Sequence, residues 1–423
     1  MSDEQRILDI TILSKEVQEL KDALLRHIIG QERAVDQFVK VYQQASVGMT
    51  REGRPLATFL FTGPTGVGKT EVVRCAAQFL LNNKDAVTRI DCGEFQHSHE
   101  TAKLIGSPPG YVGYAEKKSV RLSQENIDRF QTKTNKINLI LFDEIEEAHE
   151  SILAAILQIL DAGRLTLGTG DTTDFSRSII VLTSNLGEKE MQNTLLGTTL
   201  GLAPPKEEGE KTDAGLYKTA KTAAVKYFHA KFMNRIDRIV VFRSLSEESL
   251  RQILDNELLK LEMRVWHSAS KDWKVEDGLP VPQLRVYFHY SDTAKDFLIK
   301  EGTSKVYGAR ELNRAIDRFA AFPIGTLIGS KQIHHGDMVE VNHEDSSKEL
   351  TFAIVGHKDL RVDVPPEGFP VGPGAGALPP AMLPPAYDQP FYIRPRGPSP
   401  PPRKPVNRKY DKQDYCGWRG IRE

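Results

Sequence analysis

The sequence lacks the features that mark membrane, secreted and strongly charged proteins. No apolar run approaches the ~20 residues that a membrane-spanning helix requires. The N-terminus, MSDEQRILDI, is polar and acidic, without the basic and then apolar order of a secretory signal. The 56 Lys and Arg residues balance 57 Asp and Glu residues, so bulk charge favours neither nucleic acid nor a membrane surface. We therefore expect a cytoplasmic protein with no membrane span and no nucleic-acid partner.

Cysteine is scarce as well. The three cysteines are Cys75, Cys92 and Cys416, and no two of them stand two to four residues apart. This spacing fits neither a disulfide framework nor a cysteine-based zinc site. His97 and His99 stand two apart, but the sequence offers no evident third ligand, so we expect no metal site there.

Proline, in contrast, is concentrated in one region. Of the 24 prolines, 15 lie between Pro365 and Pro405, and nine Lys and Arg residues follow Phe391. Because proline fixes φ and lacks an amide donor, this region cannot join a helix or a central strand. We predict a proline-rich, basic, disordered tail over 358–423. It is either a solvated linker or a docking arm for a proline-reading or acidic partner.

Apolar periodicity divides the rest of the chain into three blocks. Apolar residues recur at spacings of three and four near the start, which predicts an N-terminal helix over 1–26. Residues 27–244 alternate helical stretches with short β-rich runs, namely ATFLFTG, VTRIDC, INLILFDE, SIIVLTSN and RIVVF. This alternation is typical of an α/β fold, a parallel sheet flanked by helices. Residues 245–357 predict a smaller α+β domain with three helices, over 246–265, 291–302 and 308–328, followed by two alternating strands, DMVEVNH and ELTFAIV.

A glycine-rich motif follows the first β-rich run. Its residues are Gly63, Pro64, Thr65, Gly66, Val67, Gly68, Lys69 and Thr70. The motif lies between the predicted strand ATFLF and the helical stretch EVVRCAAQFLL, the context that a phosphate-binding loop requires. Glycines let successive amides turn towards phosphate oxygens at a helix N-terminus. We expect Lys69 to reach the β- and γ-phosphates of ATP and the Thr70 hydroxyl to ligate Mg²⁺.

A second motif ends the run INLILFDE with two carboxylates, Asp143 and Glu144. Open α/β sheets bind ligands at the carboxyl ends of their strands. Asp143 is therefore a candidate for the Mg²⁺ shell, and Glu144 for the base that activates a water against the γ-phosphate. By itself such a pair is more often surface charge that caps a helix. Beside a phosphate loop it predicts ATP hydrolysis.

These motifs, together with several others, resemble one family in order and spacing. The segments that carry the resemblance are 27–31, 63–70, 106–114, 141–144, 160–165, 183–187, 232–237 and 307–310. From about residue 27 to 355 the chain resembles the second ATPase module of the Clp-type AAA+ chaperones, ClpB and ClpA, with its small C-terminal domain. The resemblance implies an AAA+ P-loop fold, ATP and Mg²⁺ as cofactors, and a hexameric ring that acts on protein substrates.

The resemblance also assigns roles to three polar residues. Asn185 resembles the sensor-1 residue that positions the attacking water; taken alone, it would be a common strand-end turn. Arg235 resembles the arginine finger that reaches the γ-phosphate of a neighbouring subunit. Outside the family pattern, Arg235 and Arg238 would be surface charge. Arg310 resembles sensor 2, which contacts the γ-phosphate from the small domain, and an ion pair with Glu311 is its alternative.

Two segments resemble parts of the family that bind adenine and substrate. Ile28 and Ile29 resemble the segment that packs on the adenine ring; otherwise they are ordinary core residues. Tyr111 follows a double proline and has glycines on both sides, which predicts an exposed loop rather than a buried strand. In the family this loop lines a central channel, and its aromatic residue grips an extended polypeptide. The segment 163–171 resembles a second channel loop.

The chain departs from the family pattern in ways that leave three functions open. The 27 leading residues are too short for the family's other domains, so we do not expect disaggregation assisted by a co-chaperone. An unfoldase that threads polypeptide through a ring channel is the first hypothesis. An unfoldase subunit that feeds a ClpP-like peptidase is the second, since 200–202 resembles an apolar docking tripeptide. The third is a nucleotide-switched assembly or scaffold ATPase, in which the tail recruits partners and hydrolysis only times their release. A peptidase and an adaptor are the candidate partners besides protein substrates.

Overall fold

The fold is described from a computed structural model of the 423-residue chain. Its described residues belong to the first of two compact units, which spans residues 1–360. These residues are 12–49, 52–107, 120–188, 210–268, 274–276, 279–281, 284–303, 308–344 and 346–357. No helix among them is long and apolar enough to cross a membrane. The predicted tail over 358–423 lies outside the described residues.

A parallel five-stranded sheet forms the centre of the larger domain. Its strands are β1 (Ala57–Thr62), β2 (Thr88–Asp91), β3 (Asn138–Asp143), β6 (Ser178–Ser184) and β7 (Arg238–Val241). The strand order is β2-β3-β6-β1-β7, and all neighbouring pairs are parallel. A short hairpin, β4 (Arg164–Thr166) and β5 (Thr172–Asp174), interrupts the chain between β3 and β6. The α/β fold and the five predicted strands are therefore confirmed.

Both faces of the sheet are buried by helices. One face packs against α1 (Lys15–His27), α2 (Glu32–Ser46) and α3 (Lys69–Leu81), and the other against α6 (Glu150–Ala162), α7 (Glu210–Tyr227) and α8 (Ala230–Met233). Two short helices, α4 (Thr101–Ile105) and α5 (Gln124–Asp128), lie between β2 and β3. We call the core on the α1–α3 face the first core and the core on the α6–α8 face the second core. Along β1, Phe59 and Phe61 are buried in the first core, and Leu60 is buried in the second. Because side chains alternate across a strand, burial on both faces explains the continuous apolar run.

The N-terminal helix packs as part of the larger domain. The side chain of Ser14 caps α1 by accepting from the Val17 amide, and Val17, Leu20 and Leu24 are buried in the first core. Each fully buried leucine contributes roughly 2 kcal/mol of transfer free energy. This burial explains the apolar spacing of three and four residues within Lys15–His27. Of the helix predicted over 1–26, residues 1–11 lie outside the described residues, and residues 12–14 are not helical.

The smaller domain is built from four helices and a three-stranded sheet. The elements are α9 (Glu247–Ser268), α10 (Asp292–Gly302), α11 (Ala309–Ile316), α12 (Phe322–Gly329), β10 (Tyr287–Tyr290), β11 (Asp337–His343) and β12 (Leu350–His357). Strand β10 pairs parallel to β11, and β12 pairs antiparallel to it. A separate hairpin joins β8 (Lys274–Glu276) and β9 (Leu279–Val281).

Two features of the smaller domain differ from the sequence prediction. The predicted sheet had two strands, and the structure adds β10, whose four residues are too few to show an alternating pattern. The predicted helix over 308–328 is divided by a π-helical turn, Asp317–Ala321. Pro323 follows this turn and has no amide to donate, so the hydrogen-bond ladder changes pitch just before it.

Candidate nucleotide site

The phosphate loop occupies the turn between β1 and α3. Gly63, Gly66 and Gly68 have φ values of 146°, 76° and 101°, which lie in the region that favours glycine. A Cβ on Gly63 would lie 2.5 Å from the carbonyl oxygen of Phe242, so no side chain fits there. The structure therefore places the motif between strand and helix, the context that its function requires.

Lys69, the first residue of α3, extends back into the loop. Its Nζ donates to the carbonyl oxygens of Gly63 (2.6 Å) and Pro64 (2.8 Å) and to Oδ1 of Asn185 (2.7 Å). Burial lowers the pKa of Lys69 to about 8, although the neighbouring carboxylates act in the opposite direction. A buried ammonium whose desolvation is only partly offset is a site where an anion binds favourably. The loop therefore fits a phosphate group.

Sheet order explains why Asn185 meets both motifs. Strand β6 lies between β1 and β3, so the residue that follows β6 is placed between the phosphate loop and the acidic pair. Asn185 Oδ1 accepts from Lys69, and its Nδ2 lies 3.5 Å from Oε1 of Glu144. The side-chain amide thus bridges the two groups, with its oxygen towards the Lys69 ammonium and its nitrogen towards the Glu144 carboxylate.

Glu144 has an unusual backbone conformation at the end of β3. Its φ and ψ are 54° and 56°, in the left-handed region that costs a non-glycine residue free energy. The hydroxyl of Thr183 accepts from the Glu144 amide at 3.0 Å and thereby stabilises this turn. Strain of this kind tends to accumulate at functional sites, because the surrounding fold must hold it in place.

Asp143 is held from two sides. Its Oδ1 accepts from the Thr183 hydroxyl at 2.5 Å, and its Oδ2 accepts from Arg89 on β2 at 2.7 Å. The sequence analysis missed both partners, although Arg89 lies in the β-rich run VTRIDC. Each carboxylate oxygen retains a lone pair beyond these bonds.

The donor set at this edge of the sheet fits Mg²⁺. Thr70, half-buried, offers a hydroxyl next to Lys69, and Asp143 offers a carboxylate, and oxygen ligands of these kinds are those that Mg²⁺ prefers. Among the described residues no cluster of three or more His, Cys, Asp or Glu side chains could hold a metal. The rings of His97 and His99 stack on each other.

Glu146 is a second residue that the sequence analysis missed. Its Oε1 accepts from the Asn185 amide at 2.7 Å, and its Oε2 is buried without a hydrogen-bond partner among the described residues. Burial raises the pKa of Glu146, and the Asn185 amide opposes the shift. Glu146 therefore fixes the backbone of Asn185. The acidic run that begins at Asp143 was the only signal for it.

The smaller domain reaches the phosphate loop through the start of α11. The amide of Ala309 donates to the carbonyl oxygen of Gly66 at 3.1 Å. Arg310, the next residue, is exposed, and none of the described residues forms an ion pair with it. The alternative partner, Glu311, pairs with Arg314 instead. The structure thus places Arg310 one residue from a contact with the loop.

Arg235 lies at the opposite end of β1. It forms an ion pair with Asp161, and it lines a cleft of about 390 Å³ together with Arg54 and Arg238. Thr58 at the start of β1 lines the same cleft, whereas the phosphate loop follows the end of this strand. The two ends are about 15 Å apart at the rise of a parallel strand. Arg235 is therefore not brought together with Lys69 of its own chain.

The remaining predicted residues fall in the core or outside the described residues. Ile28 is buried in the first core at the end of α1, and Ile29 is half-buried. Adenine contact for these two residues stays a prediction. Tyr111 and the tripeptide 200–202 lie outside the described residues.

The base of the Tyr111 loop is described, and it contacts the β4–β5 hairpin. The amide of Gly168, at the tip of this hairpin, donates to the Ile105 carbonyl oxygen at 2.8 Å. A Cβ on Gly168 would lie 2.3 Å from the carbonyl oxygen of Gly106. The segment predicted as a second channel loop thus packs against the residues that lead into the Tyr111 loop.

Two protein families match this chain. The family described as AAA domain (Cdc48 subfamily) matches residues 54–239. The family described as the C-terminal, D2-small domain of ClpB protein matches residues 281–341. Together they cover the sheet with its phosphate loop and most of the smaller domain.

Curated relatives and a solved structure extend the comparison over most of the chain. Chaperone protein ClpB 1 of Parasynechococcus marenigrum is 35% identical over 79% of this chain and 34% of its own length. The ClpA homologue of Guillardia theta, described as an ATP-dependent Clp protease ATP-binding subunit, is 34% identical over 79% of this chain and 38% of its own length. A closed-state cryo-EM reconstruction of Hsp104 with ATPγS and FITC casein has a TM-score of 0.61, with 30% identity over 81% of this chain and 53% of that one. The chain spans about a third of the length of these curated relatives.

The lowered pKa of Lys69 predicts proton uptake when a phosphate group binds. An anion beside the ammonium stabilises its charged form and raises the pKa, so at pH 8.5 ADP binding should take up on the order of half a proton. Calorimetry of ADP binding in buffers of different ionisation enthalpy measures this uptake. At pH 7 the uptake should decrease, because Lys69 is already largely protonated. Equal uptake at both pH values would contradict the assignment. So would uptake at pH 8.5 as large as the parent's in a Lys69→Arg variant, because its guanidinium stays charged throughout.

Proposed function

Because the chain belongs to the Clp-type AAA+ ATPases, we propose that it is an ATP-dependent protein unfoldase that threads polypeptide through a ring channel. The observation that carries this proposal is the Asn185 amide, which bridges Lys69 in the phosphate loop and Glu144 at the end of β3. This bridge joins a phosphate-binding group to a general base, as hydrolysis requires. A cytoplasmic location accompanies the proposal as a prediction.

Hydrolysis follows from the positions of these side chains. Lys69 neutralises the phosphate oxygens, while Asn185 and Glu144 orient a water in line with the γ-phosphorus. Glu144 accepts the proton of this water as the oxygen attacks, and the bond between phosphorus and the ADP oxygen breaks. Inorganic phosphate and ADP are the products.

Thr70 and Asp143 would hold Mg²⁺ together with the nucleotide phosphates, and the ion would neutralise charge on the triphosphate. Thr183 and Arg89 fix the two oxygens of Asp143 and so orient this ligand. Ile28 and Ile29 provide the apolar contact for adenine in this proposal.

The position of Arg235 supports assembly into a ring. About 15 Å of β1 separates the start of this strand, where Arg235 lines its cleft, from the phosphate loop of the same chain. We propose that its guanidinium completes the site of a neighbouring copy and neutralises charge in the transition state. A homo-hexamer provides such a neighbour for every site. Arg310 contacts the γ-phosphate from the smaller domain of the same chain.

A chain of contacts supports coupling between Arg235 and the substrate loop. Arg235 pairs with Asp161 near the end of α6, and α6 leads directly into the β4–β5 hairpin. The tip of this hairpin is bonded to Ile105, from which the chain continues to Tyr111. Movement of Arg235 towards a neighbouring nucleotide would thus displace the base of the loop whose aromatic residue grips the polypeptide.

A second function, as an unfoldase subunit that feeds a peptidase, rests on one observation. Several of the similar proteins are described as ATP-binding subunits of an ATP-dependent Clp protease. A peptidase or adaptor partner therefore stays a prediction for this chain. The proline-rich tail is the candidate docking arm for an adaptor.

The role of Glu144 predicts a separation of binding from hydrolysis. Glu144→Gln should lower ATP turnover by about 100-fold or more, the range typical of a general base, while ATP still binds. Turnover is measured by phosphate release and binding by a fluorescent ATP analogue. Glu147→Gln is the matched control, because Glu147 is exposed and three residues further along the chain. Comparable turnover in the two variants would contradict the assignment of the base.

The threading hypothesis predicts that Tyr111→Ala loses unfolding but keeps hydrolysis. Loss of the aromatic ring removes the grip on the polypeptide and leaves Lys69, Glu144 and Asn185 in place. Unfolding of a fluorescent client protein and ATP turnover are measured in the same reaction, with Tyr111→Phe as the control. If Tyr111→Ala unfolds the client at the parent rate, threading by this aromatic residue is contradicted; if the parent chain hydrolyses ATP but unfolds no client, the assembly or scaffold function replaces threading.

A further inference from the structure

The smaller domain contacts the phosphate loop through a backbone hydrogen bond that involves no side chain. Ala309 is the first residue of α11, and its amide donates to the carbonyl oxygen of Gly66 at 3.1 Å. The first amides of a helix have no acceptor within the helix and must find one elsewhere. Gly66 supplies that acceptor from the centre of the phosphate loop.

This contact requires a glycine before the helix. Gly308 has φ and ψ of 53° and −143°, a conformation that glycine alone adopts without strain. A Cβ at this position would lie 2.9 Å from the carbonyl oxygens of both Gly66 and Thr65. Any side chain here would therefore push α11 away from the loop.

The hydrogen bond also fixes the peptide that joins Gly66 to Val67. This peptide is trans, so its carbonyl and its amide point in opposite directions. With the Gly66 carbonyl directed at α11, the Val67 amide is directed away from the smaller domain. Amides of this loop are the groups that bind phosphate oxygens.

We propose that the start of α11 positions the phosphate loop: the Ala309 amide holds the Gly66–Val67 peptide in the orientation that binds phosphate. Contact of the smaller domain with the loop and binding of a nucleotide phosphate to the loop are then coupled, and each makes the other more favourable. The coupling operates with a diphosphate, because it needs neither a γ-phosphate nor Arg310. It rests only on the nucleotide-binding part of the proposed function.

Removal of one amide tests the proposal. Ala309→Pro deletes the donor at the first position of a helix, where proline is well tolerated. A net hydrogen bond of ordinary strength predicts that ADP binds about threefold to tenfold more weakly, as measured by titration with a fluorescent ADP analogue. Arg310→Ala, in contrast, should weaken ATPγS more than ADP.

Gly325→Ala is the matched control for a substitution in the smaller domain. Gly325 lies in α12, and a Cβ there meets nothing within 4 Å, so ADP affinity should stay within twofold of the parent. Thermal unfolding shows whether each variant is folded. If folded Ala309→Pro binds ADP as tightly as the parent does, the proposal is overturned.

A measurement on the unaltered chain covers the case in which Ala309→Pro does not fold. By reciprocity, saturating ADP should slow hydrogen exchange of the amides at the start of α11 by about the same factor. Unchanged exchange at Ala309 in the presence of ADP would overturn the proposal. Both readouts use ADP and no client protein, so a chain that binds ADP without unfolding proteins would refute the proposed function and leave this inference intact.

Discussion

The desolvated ammonium of Lys69 is the constraint on which the rest of the site depends. Three acceptors hold it, two carbonyl oxygens of its own loop and the Asn185 side chain, and burial still lowers its pKa to about 8. A charge buried at this cost favours any anion that restores its electrostatic balance. The glycines of the loop, the order of the strands and the acidic residues beyond them can all be understood as parts of one phosphate site.

Two parts of the fold meet at the phosphate loop that holds this ammonium, and a third side chain lies at the opposite end of β1. Strand β6 brings Asn185, which links the loop to Glu144. The smaller domain brings the first amide of α11 to Gly66. Arg235 stands at the far end of β1, and in our proposal a second copy of the chain brings a phosphate to it. In this proposal, nucleotide binding, the position of the smaller domain and assembly are connected through one sheet.

The sequence predicted the parts of the site that depend on local pattern. The glycine-rich motif and the apolar run before Asp143 can be recognised from sequence, because each requires a fixed residue order over a few positions. Arg89, Thr183 and Glu146 were missed, since their contacts join strands that are distant in sequence. The hydrogen bond between α11 and the loop was also beyond prediction, because it uses a backbone amide and carbonyl. Strand β10 has only four residues, too few for the alternation of apolar and polar residues to predict a strand.

The central claim is that ATP is hydrolysed between two copies of this chain, and mixing of two inactive variants tests it most directly. Glu144→Gln removes the base from its own site, and Arg235→Ala removes the guanidinium that we assign to the neighbouring site. If catalysis is shared, a mixture of the two variants contains interfaces where an intact Glu144 faces an intact Arg235, so ATP turnover should return to an appreciable fraction of the parent rate. If the turnover of the mixture only equals the sum of the rates measured for the two variants alone, the account is contradicted.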